Sequence, residues 1–123
     1  MRVIIAGSRS CIDPAHVFWA VEESGFTPSV VLSGTARGAD QCGEVWAECV
    51  GVPVEKYPAE WNRYGKQAGF LRNEQMANNA DALIALWDGV SPGTRHMINT
   101  AYHKELRVFI YRTDQHPISD TAA

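Results

Sequence analysis

Five short apolar runs recur along the chain, and longer segments with a helical pattern separate them. The runs are continuously apolar, which is typical of strands that helices cover on both faces. They occupy residues 2–6, 29–33, 52–57, 82–87 and 107–111. The segments between them, at 13–25, 39–51, 66–79 and 94–104, space apolar residues as amphipathic helices do. This alternation predicts one α/β domain, with helices on both faces of a mainly parallel five-stranded sheet in the order 3-2-1-4-5.

The first predicted helix has the clearest boundaries. Asp13 is a suitable N-cap, Pro14 fits the first helical position, and Gly25 marks the end. We expect the domain to fill residues 1–112 and the polar residues 113–123 to form a tail. The residues predicted to face the core are Val17, Phe18 and Val21 in the first helix, and Phe70, Leu71 and Met76 in the third.

The composition narrows the class of protein. The chain has 123 residues, 46% of them hydrophobic and 20% charged, and a formal net charge of −3. These values are ordinary for one globular domain, and the acidic balance disfavours a general attraction to nucleic acid or membranes. No apolar run approaches the ~18 residues of a membrane span, and the first ten residues lack a long signal-peptide core.

The cysteines and histidines indicate neither a disulfide framework nor a metal site. The 3 cysteines are odd in number and lack CxxC spacing. We therefore expect a reduced, cytoplasmic protein in which Cys42 is a buried structural thiol. The histidines are scattered, and we expect His96 and His103, a heptad apart on one predicted helix, to lie on the surface. No metal and no cofactor is predicted.

Glycine and hydroxyl residues follow three of the predicted strands. The stretches are GSRS at 7–10, SGTARGAD at 33–40 and DGVSPGT at 88–94. Ligands bind at the carboxyl edge of such sheets, where glycine lets backbone N–H groups approach an anion and a helix N-terminus adds positive potential. The alternative is that the stretches are only turns and caps. The predicted ligand-binding residues here are Gly7, Ser8, Arg9, Ser33, Gly34, Gly38, Ala39, Asp40, Asp88, Ser91, Gly93 and Thr94.

These loops do not match the best-known phosphate motifs. Neither a G-x-x-x-x-G-K-[ST] loop nor a G-x-G-x-x-G fingerprint is present. Kinase-type phosphoryl transfer and standard dehydrogenase chemistry therefore lose support.

The stretch PAEWNRYGKQAGFLRNEQM, residues 58–76, mixes aromatic and basic residues. We expect Trp61 or Tyr64 to cover a base or ribose, and Arg72 to pair with an anionic group. Asn73 is either a ligand contact or a structural hydrogen-bonding residue.

Together these motifs resemble the YspA-like, cpYpsA-related group of the SLOG superfamily. The resemblance rests on GSR, SGTARGAD, EWNRYGKQAGFLRNEQM and DGVSPGT and spans about residues 2–111. That superfamily also contains the Lonely Guy phosphoribohydrolases and the SMF/DprA proteins. The resemblance implies a Rossmann-like fold, a nucleotide-derived ligand and homo-oligomers. The group's usual second loop reads S-G-G-A-R-G-A-D, so Thr35 replaces a glycine.

The chemistry of Lonely Guy enzymes does not carry over unchanged. Their helix motif R-K-x-x-M is similar to RNEQM here, which keeps Arg72 and has Asn73 in the lysine position. Their P-G-G-x-G-T-x-x-E loop is similar to GVSPGTRHM, but the glutamate position holds Met97. A thioether can neither stabilise an oxocarbenium-like centre nor accept a proton from water. If the protein is an enzyme, the candidate catalytic residues are Arg72, Asp40 and Glu74.

Two carboxylates also have ordinary structural interpretations. Asp40 either binds ribose or activates water, or it caps the second helix. For Asp88 we favour a turn role, in which the carboxylate accepts hydrogen bonds from its own loop.

Three functional hypotheses follow. The first is a protein that senses or sequesters a nucleotide-derived small molecule, and the loss of the glutamate favours it. The second is a hydrolase or transferase acting on the N-glycosidic bond of a nucleotide. The third is single-stranded nucleic-acid binding, which the net charge disfavours despite a local patch of Arg37, Arg63, Lys66 and Arg72. A second copy of the chain is the other expected partner. The stripe Met97, Ile98, Ala101 and Tyr102 serves either that contact or the core.

Overall fold

The computed structural model describes residues 1–116 of the 123. Its strands form one parallel sheet in the order β3-β2-β1-β4-β5, which confirms the predicted fold class and strand order. The strands are β1 (Arg2–Gly7), β2 (Val30–Ser33), β3 (Val54–Lys56), β4 (Ala82–Trp87) and β5 (Arg107–Arg112). Of the predicted tail, Thr113–Gln115 form a 3₁₀ turn, and residues 117–123 lie outside the described residues.

Helices connect the strands on both faces of the sheet. They are α1 (Ala15–Ser24), α2 (Ala39–Val50), α3 (Trp61–Tyr64), α4 (Ala68–Asn78) and α5 (Pro92–His103). The helix predicted over 66–79 is α4, which begins at Ala68; it is preceded by an additional short helix, α3, and a 3₁₀ turn at Gly65–Gln67, with a break in the helical backbone between them. The break lies at Gly65, where the backbone has φ 60° and ψ −138°, a conformation that favours glycine. Within the described residues, none of the helices is long and apolar enough to cross a membrane.

Strand register brings three strand ends to one edge. β1 pairs with β4 from Val3↔Ala82 to Gly7↔Leu86, and β2 lies on its other side. Because all of these strands are parallel, the loops after β1, β2 and β4 leave the sheet side by side. The fold therefore gathers the three glycine-rich loops that the sequence indicated.

Alternate residues of the central strands enter two cores. Val3 and Ile5 of β1 face a cluster with α1 and α2, which includes Val17 and Trp46. Ile4 faces the opposite cluster with α4 and α5, which includes Met76 and Met97. Burial on both faces explains the continuous apolar character of the strands.

The predicted core faces of two helices were partly wrong. Val17, Val21 and Met76 are buried, but Phe18, Phe70 and Leu71 are 39%, 49% and 42% exposed. In α4 the buried positions are Ala68, Asn73, Met76 and Ala77. Small and polar residues thus occupy much of the face that α4 turns towards the sheet.

The start of α1 lies one residue later than predicted. Helix α1 begins at Ala15, so Pro14 rather than Asp13 occupies the N-cap position. Asp13 still satisfies the helix end, because its Oδ1 accepts the N–H of Ala15 at 3.0 Å. Gly25 ends the helix with φ 73°, as predicted.

Candidate functional site

A cavity of about 880 Å³ opens at the carboxyl edge of the sheet. One side, which we call the loop wall, consists of cavity-lining residues within 6–10, 34–40 and 88–97. These are the loops after β1, β2 and β4 with the first turns of the following helices. The other side, the helical wall, consists of cavity-lining residues within 58–73. The volume lies within the range typical of small-molecule sites.

Most of the residues predicted to bind a ligand line this cavity. They are Gly7, Ser8, Arg9, Gly34, Asp40, Trp61, Arg72, Asn73, Asp88, Ser91, Gly93 and Thr94. Their contact with a ligand stays a prediction, but the structure brings them together around one space.

Three other predicted residues support the loops instead of lining the cavity. Ser33 Oγ donates to Glu44 at 2.6 Å and accepts the N–H of Thr35 at 3.1 Å. The N–H of Ala39 donates to the carbonyl of Ser8 at 3.1 Å, so it is not free for a phosphate. Gly38 packs so closely on the first loop that a Cβ would lie 2.5 Å from the Ser8 carbonyl oxygen.

Glu74, a candidate replacement for the family glutamate, is exposed on α4 and does not line the cavity. Met97, which stands at the glutamate position, is buried and lines it. The position that carries the carboxylate in Lonely Guy enzymes therefore presents a thioether to the cavity.

Asp88 organises the loop after β4. Its Oδ1 accepts the N–H groups of Val90 and Ser91 at 2.9 and 2.8 Å, and its Oδ2 accepts the Ser91 hydroxyl at 2.7 Å. Ser8 Oγ accepts the backbone N–H of Asp88 at 3.0 Å, which ties this loop to the first one. Burial raises the pKa of Asp88, but the hydrogen bonds from Ser91, Val90 and Ser8 outweigh it and hold the pKa at about 2. The turn role is as predicted.

Asp40 is the buried acid of the cavity, with 5% of its surface exposed. Burial raises its pKa to about 6, although the N–H of Ala36, the charge of Arg72 and the N–H of Gly7 each lower it. The alternative that Asp40 caps α2 is wrong, because Gly38 is the cap residue and no side chain caps the helix. Asp40 Oδ2 instead accepts the N–H of Ala36, at 3.2 Å.

Arg72 reaches from α4 across the cavity to the loop wall. Its Nη1 donates to the carbonyl of Gly34 at 2.6 Å, and its Nε donates to Asn73 Oδ1 at 3.1 Å. Burial lowers the pKa of Arg72, the carboxylate of Asp40 raises it, and the nearby charge of Arg9 lowers it. Two guanidinium groups thus lie close enough to repel each other.

The cavity carries an excess of positive charge. Arg9, Arg37 and Lys66 line it, and within the described residues they form no salt bridge. Asp88 is occupied by its own loop, and Asp40 faces Arg72.

The helical wall is attached loosely. Among the described residues of α3 and the following 3₁₀ turn, none is buried. Trp61 is 51% exposed, and its ring lies 3.2 Å from where a Cβ of Gly69 would be. Tyr64, the other predicted cover for a base, faces a neighbouring groove and not the cavity.

Several cavity residues were not predicted as ligand contacts. Two of them, Lys66 and Phe70, lie at helical spacing with Asn73, which was predicted, and this spacing is the signal that could have identified this face of the segment. Thr35 lines the cavity with φ 64°, a conformation uncommon for a β-branched residue. A glycine at this position, as in the family's usual loop, would adopt it without strain.

The remaining predictions concern histidines, cysteines and the apolar stripe. His96 is half-buried and contacts Asn73, so the prediction of a surface residue was wrong, whereas His103 is exposed. Cys42 is buried, and burial raises the pKa of its thiol. Within residues 1–116, His, Cys, Asp and Glu form no group of three or more suited to a metal.

In the apolar stripe, Met97, Ile98 and Ala101 are buried in the core and Tyr102 is exposed. Oligomer formation stays a prediction.

Comparison with known proteins agrees with the fold and with these loops. A model of the YspA, cpYpsA-related SLOG family matches residues 1–64. The Gene 61 protein of Mycobacterium phage D29 is 40% identical over 109 residues, which cover 81% of this chain and 87% of that relative. With the parallel sheet and the glycine-rich loops at its carboxyl edge, these matches confirm the resemblance seen in the sequence: the chain belongs to the YspA, cpYpsA-related SLOG family.

Proposed function

We propose that the protein binds a nucleotide-derived small molecule with more than one negative charge in the cavity at the carboxyl edge. The observation that carries the proposal is the charge of the cavity. Arg9, Arg37, Lys66 and Arg72 line it, while its carboxylates at Asp40 and Asp88 already accept hydrogen bonds within the protein. An anion between Arg9 and Arg72 would relieve their mutual repulsion.

The rest of the cavity suits a nucleoside. Trp61 and Phe70 line the helical wall and are about half exposed, so a planar base has aromatic surface to cover. Membership of the SLOG family is consistent with nucleotide-related binding.

A second candidate function is cleavage of the N-glycosidic bond of a nucleotide. Asp40 supports it, because a buried carboxyl group with a pKa of about 6 beside an arginine is suited to exchange a proton near neutral pH. Met97 counts against a Lonely Guy mechanism, since it replaces the glutamate of that family's loop motif. Binding without turnover therefore remains our first proposal.

One incubation separates the two candidates. The protein is mixed with nucleoside monophosphates, NAD, ADP-ribose, cyclic nucleotides and a short single-stranded oligonucleotide. Thermal stability is measured at once, and the mixture is analysed by chromatography hours later. We expect stabilisation by at least one small nucleotide, recovered intact. Release of free base would establish the hydrolase, and stabilisation by the oligonucleotide alone would favour the nucleic-acid hypothesis.

A pair of variants locates the binding. Arg72→Gln removes the guanidinium group that reaches the loop wall and should weaken binding of the stabilising nucleotide about 10- to 100-fold. Arg63→Gln removes an arginine from the same segment that does not line the cavity, and should leave the Kd unchanged. Equal Kd values for the two variants, or no response to any small nucleotide, would contradict the proposal.

A further inference from the structure

A chain of hydrogen bonds leads from the cavity into α5. Arg72 Nε donates to Asn73 Oδ1 at 3.1 Å, and Asn73 Nδ2 lies 3.1 Å from His96 Nδ1. Asn73 is 7% exposed, so its amide depends on these partners. The proposed ligand contacts do not explain why a histidine ends this chain.

The chemistry of the three side chains fixes which atom donates and which accepts in each hydrogen bond. An arginine has donors only, so the Asn73 atom that faces it must be the oxygen. The Asn73 NH₂ group is then left to face His96, and a donor there requires an acceptor. His96 Nδ1 must therefore carry no proton, which makes the imidazole neutral with its proton on Nε2.

We propose that neutral His96 is a positioning residue, which acts through Asn73 to hold the Arg72 guanidinium in place at the cavity. With Nε bound to Asn73 and Nη1 bound to Gly34, the guanidinium is held at two points on opposite walls. About three of its five N–H donors then remain for an anion. Only this last step rests on the proposed function, since the orientation itself exists without a ligand.

Protonation of His96 interrupts this series of hydrogen bonds. A proton on Nδ1 would face the NH₂ group of Asn73, so two donors would meet. If the Asn73 amide turned over, its oxygen would satisfy His96, but its NH₂ group would then meet Arg72 Nε–H. One hydrogen bond is lost in either orientation. Acidification therefore weakens the helix-side support of Arg72, because either Asn73 loses its bond to His96 or Arg72 loses its bond to Asn73.

The surroundings of His96 favour the neutral form. Its ring stacks on Phe70 with centroids 4.2 Å apart. Burial lowers the pKa of His96, and the charge of Glu74 on α4 opposes this. Arg72, which faces the ring through Asn73, adds a further positive charge to the same helix pair.

The test is nuclear magnetic resonance of the imidazole nitrogens in the ligand-free protein, titrated with pH. We expect the Nε2–H form of His96 at neutral pH and a pKa below the usual value of about 6.5. The first variant is Asn73→Asp, which tests the contact between positions 73 and 96. Its carboxylate can accept from both Arg72 Nε–H and His96 Nδ1–H, so the pKa of His96 should rise by about one unit or more. The new charge would raise this pKa whatever the role of Asn73, so the positioning role is tested by the response of Arg72.

A second observation follows Arg72 itself. Its Nε–H resonance should move as His96 titrates, and His96→Gln should remove the part of the pH response that follows His96, while His103→Gln on the same helix should retain it. Asp40 titrates in all three proteins, so the difference isolates His96. An Nδ1–H form of neutral His96, or a His96 pKa in Asn73→Asp no higher than in the unaltered protein, would overturn the inference. Failure of the nucleotide panel would overturn the proposed function and leave this result standing.

Discussion

The two walls of the cavity are built in different ways. On the loop wall, Ser8, Asp40 and Thr94 are only 1%, 5% and 5% exposed, although they line the cavity. On the helical wall, α3 and the 3₁₀ turn after it bury none of their described residues. The same cavity is thus bounded by loops that the fold buries and by a short segment, α3 with its 3₁₀ turn, that the fold leaves exposed.

This difference in burial separates residues that stabilise the fold from residues that are available for binding. Loop-wall residues hold the ends of the strands to one another, as Ser8 does through Asp88. Trp61 and Lys66 on the helical wall line the cavity and are exposed, so under the proposed function they are available to contact the ligand. Substitutions on the loop wall should therefore lower mainly the stability, and substitutions in the exposed part of the helical wall should lower mainly the affinity.

The largest expected effect is that of Gly7→Ala on the loop wall. A Cβ at Gly7 would collide with the backbone carbonyl of Leu86 and would lie 2.9 Å from the Cβ of Ala39. Because β4 is central and cannot move aside, we expect a loss of about 3 kcal/mol or more in the free energy of unfolding, measured with urea.

Gly93→Ala is the matched control on the same wall. A Cβ there meets nothing within 4 Å, and Gly93 lies in the first turn of α5. The stability of this variant should equal or slightly exceed that of the unaltered protein. Similar losses in both variants would show that the loop wall is generally sensitive rather than locked at Gly7.

The next effect concerns the charge of Asp40. Its pKa in the folded protein is raised from 3.8 to about 6, so the folded state holds the proton more tightly than the unfolded state. Stability contributed by protonated Asp40 is therefore present at low pH and is lost as pH rises through about 6. Asp40→Asn cannot ionise, and its stability relative to the unaltered protein should increase between pH 4 and pH 7, by up to about 3 kcal/mol.

Thermal unfolding of the two proteins at several pH values checks this sign. Glu60→Gln, an exposed carboxylate beside α3, serves as the control and should stay within about 0.5 kcal/mol of the unaltered protein throughout. A constant difference between Asp40→Asn and the unaltered protein would mean that Arg72 compensates the burial of Asp40 fully.

The smallest effect on stability is expected for Trp61→Ala on the helical wall. The side chain is 51% exposed, so we expect a change within about 0.5 kcal/mol. The Kd for the stabilising nucleotide should nevertheless increase about tenfold, because an aromatic surface for the base is lost. Trp19→Ala, a similarly exposed tryptophan on α1, should leave the Kd unchanged. A large loss of stability in Trp61→Ala would mean that the helical wall does belong to the fold.

The sequence predicted the loop wall far better than the helical wall, and the reason is physical. Parallel strands with continuous apolar runs leave their following loops at one edge, so GSRS, SGTARGAD and DGVSPGT could be placed together before any coordinates were known. The helical wall offers no such rule. A four-residue helix such as α3 is too short for a period, and Phe70 and Leu71 are apolar but exposed.

The hydrogen bond between Asn73 and His96 could not be predicted from the sequence. It depends on how α4 and α5 are rotated against each other, which side-chain packing between the helices decides and spacing along either helix does not. Asp40 was an ambiguous case, since a carboxylate at the start of a helix is typical of a cap. Its bond to Ala36 follows from the path of the loop, which local sequence preference does not determine.

The absence of buried side chains from α3 and the turn after it also bears on how such a protein changes over generations. Substitutions at buried positions are selected against because they destabilise the fold. Substitutions at exposed positions such as Trp61 and Lys66 change stability little, so selection on them would act mainly through the affinity for the proposed ligand. A lineage could therefore change the specificity of the proposed site there in single steps, each leaving a folded intermediate, while the strand-end loops keep their structure.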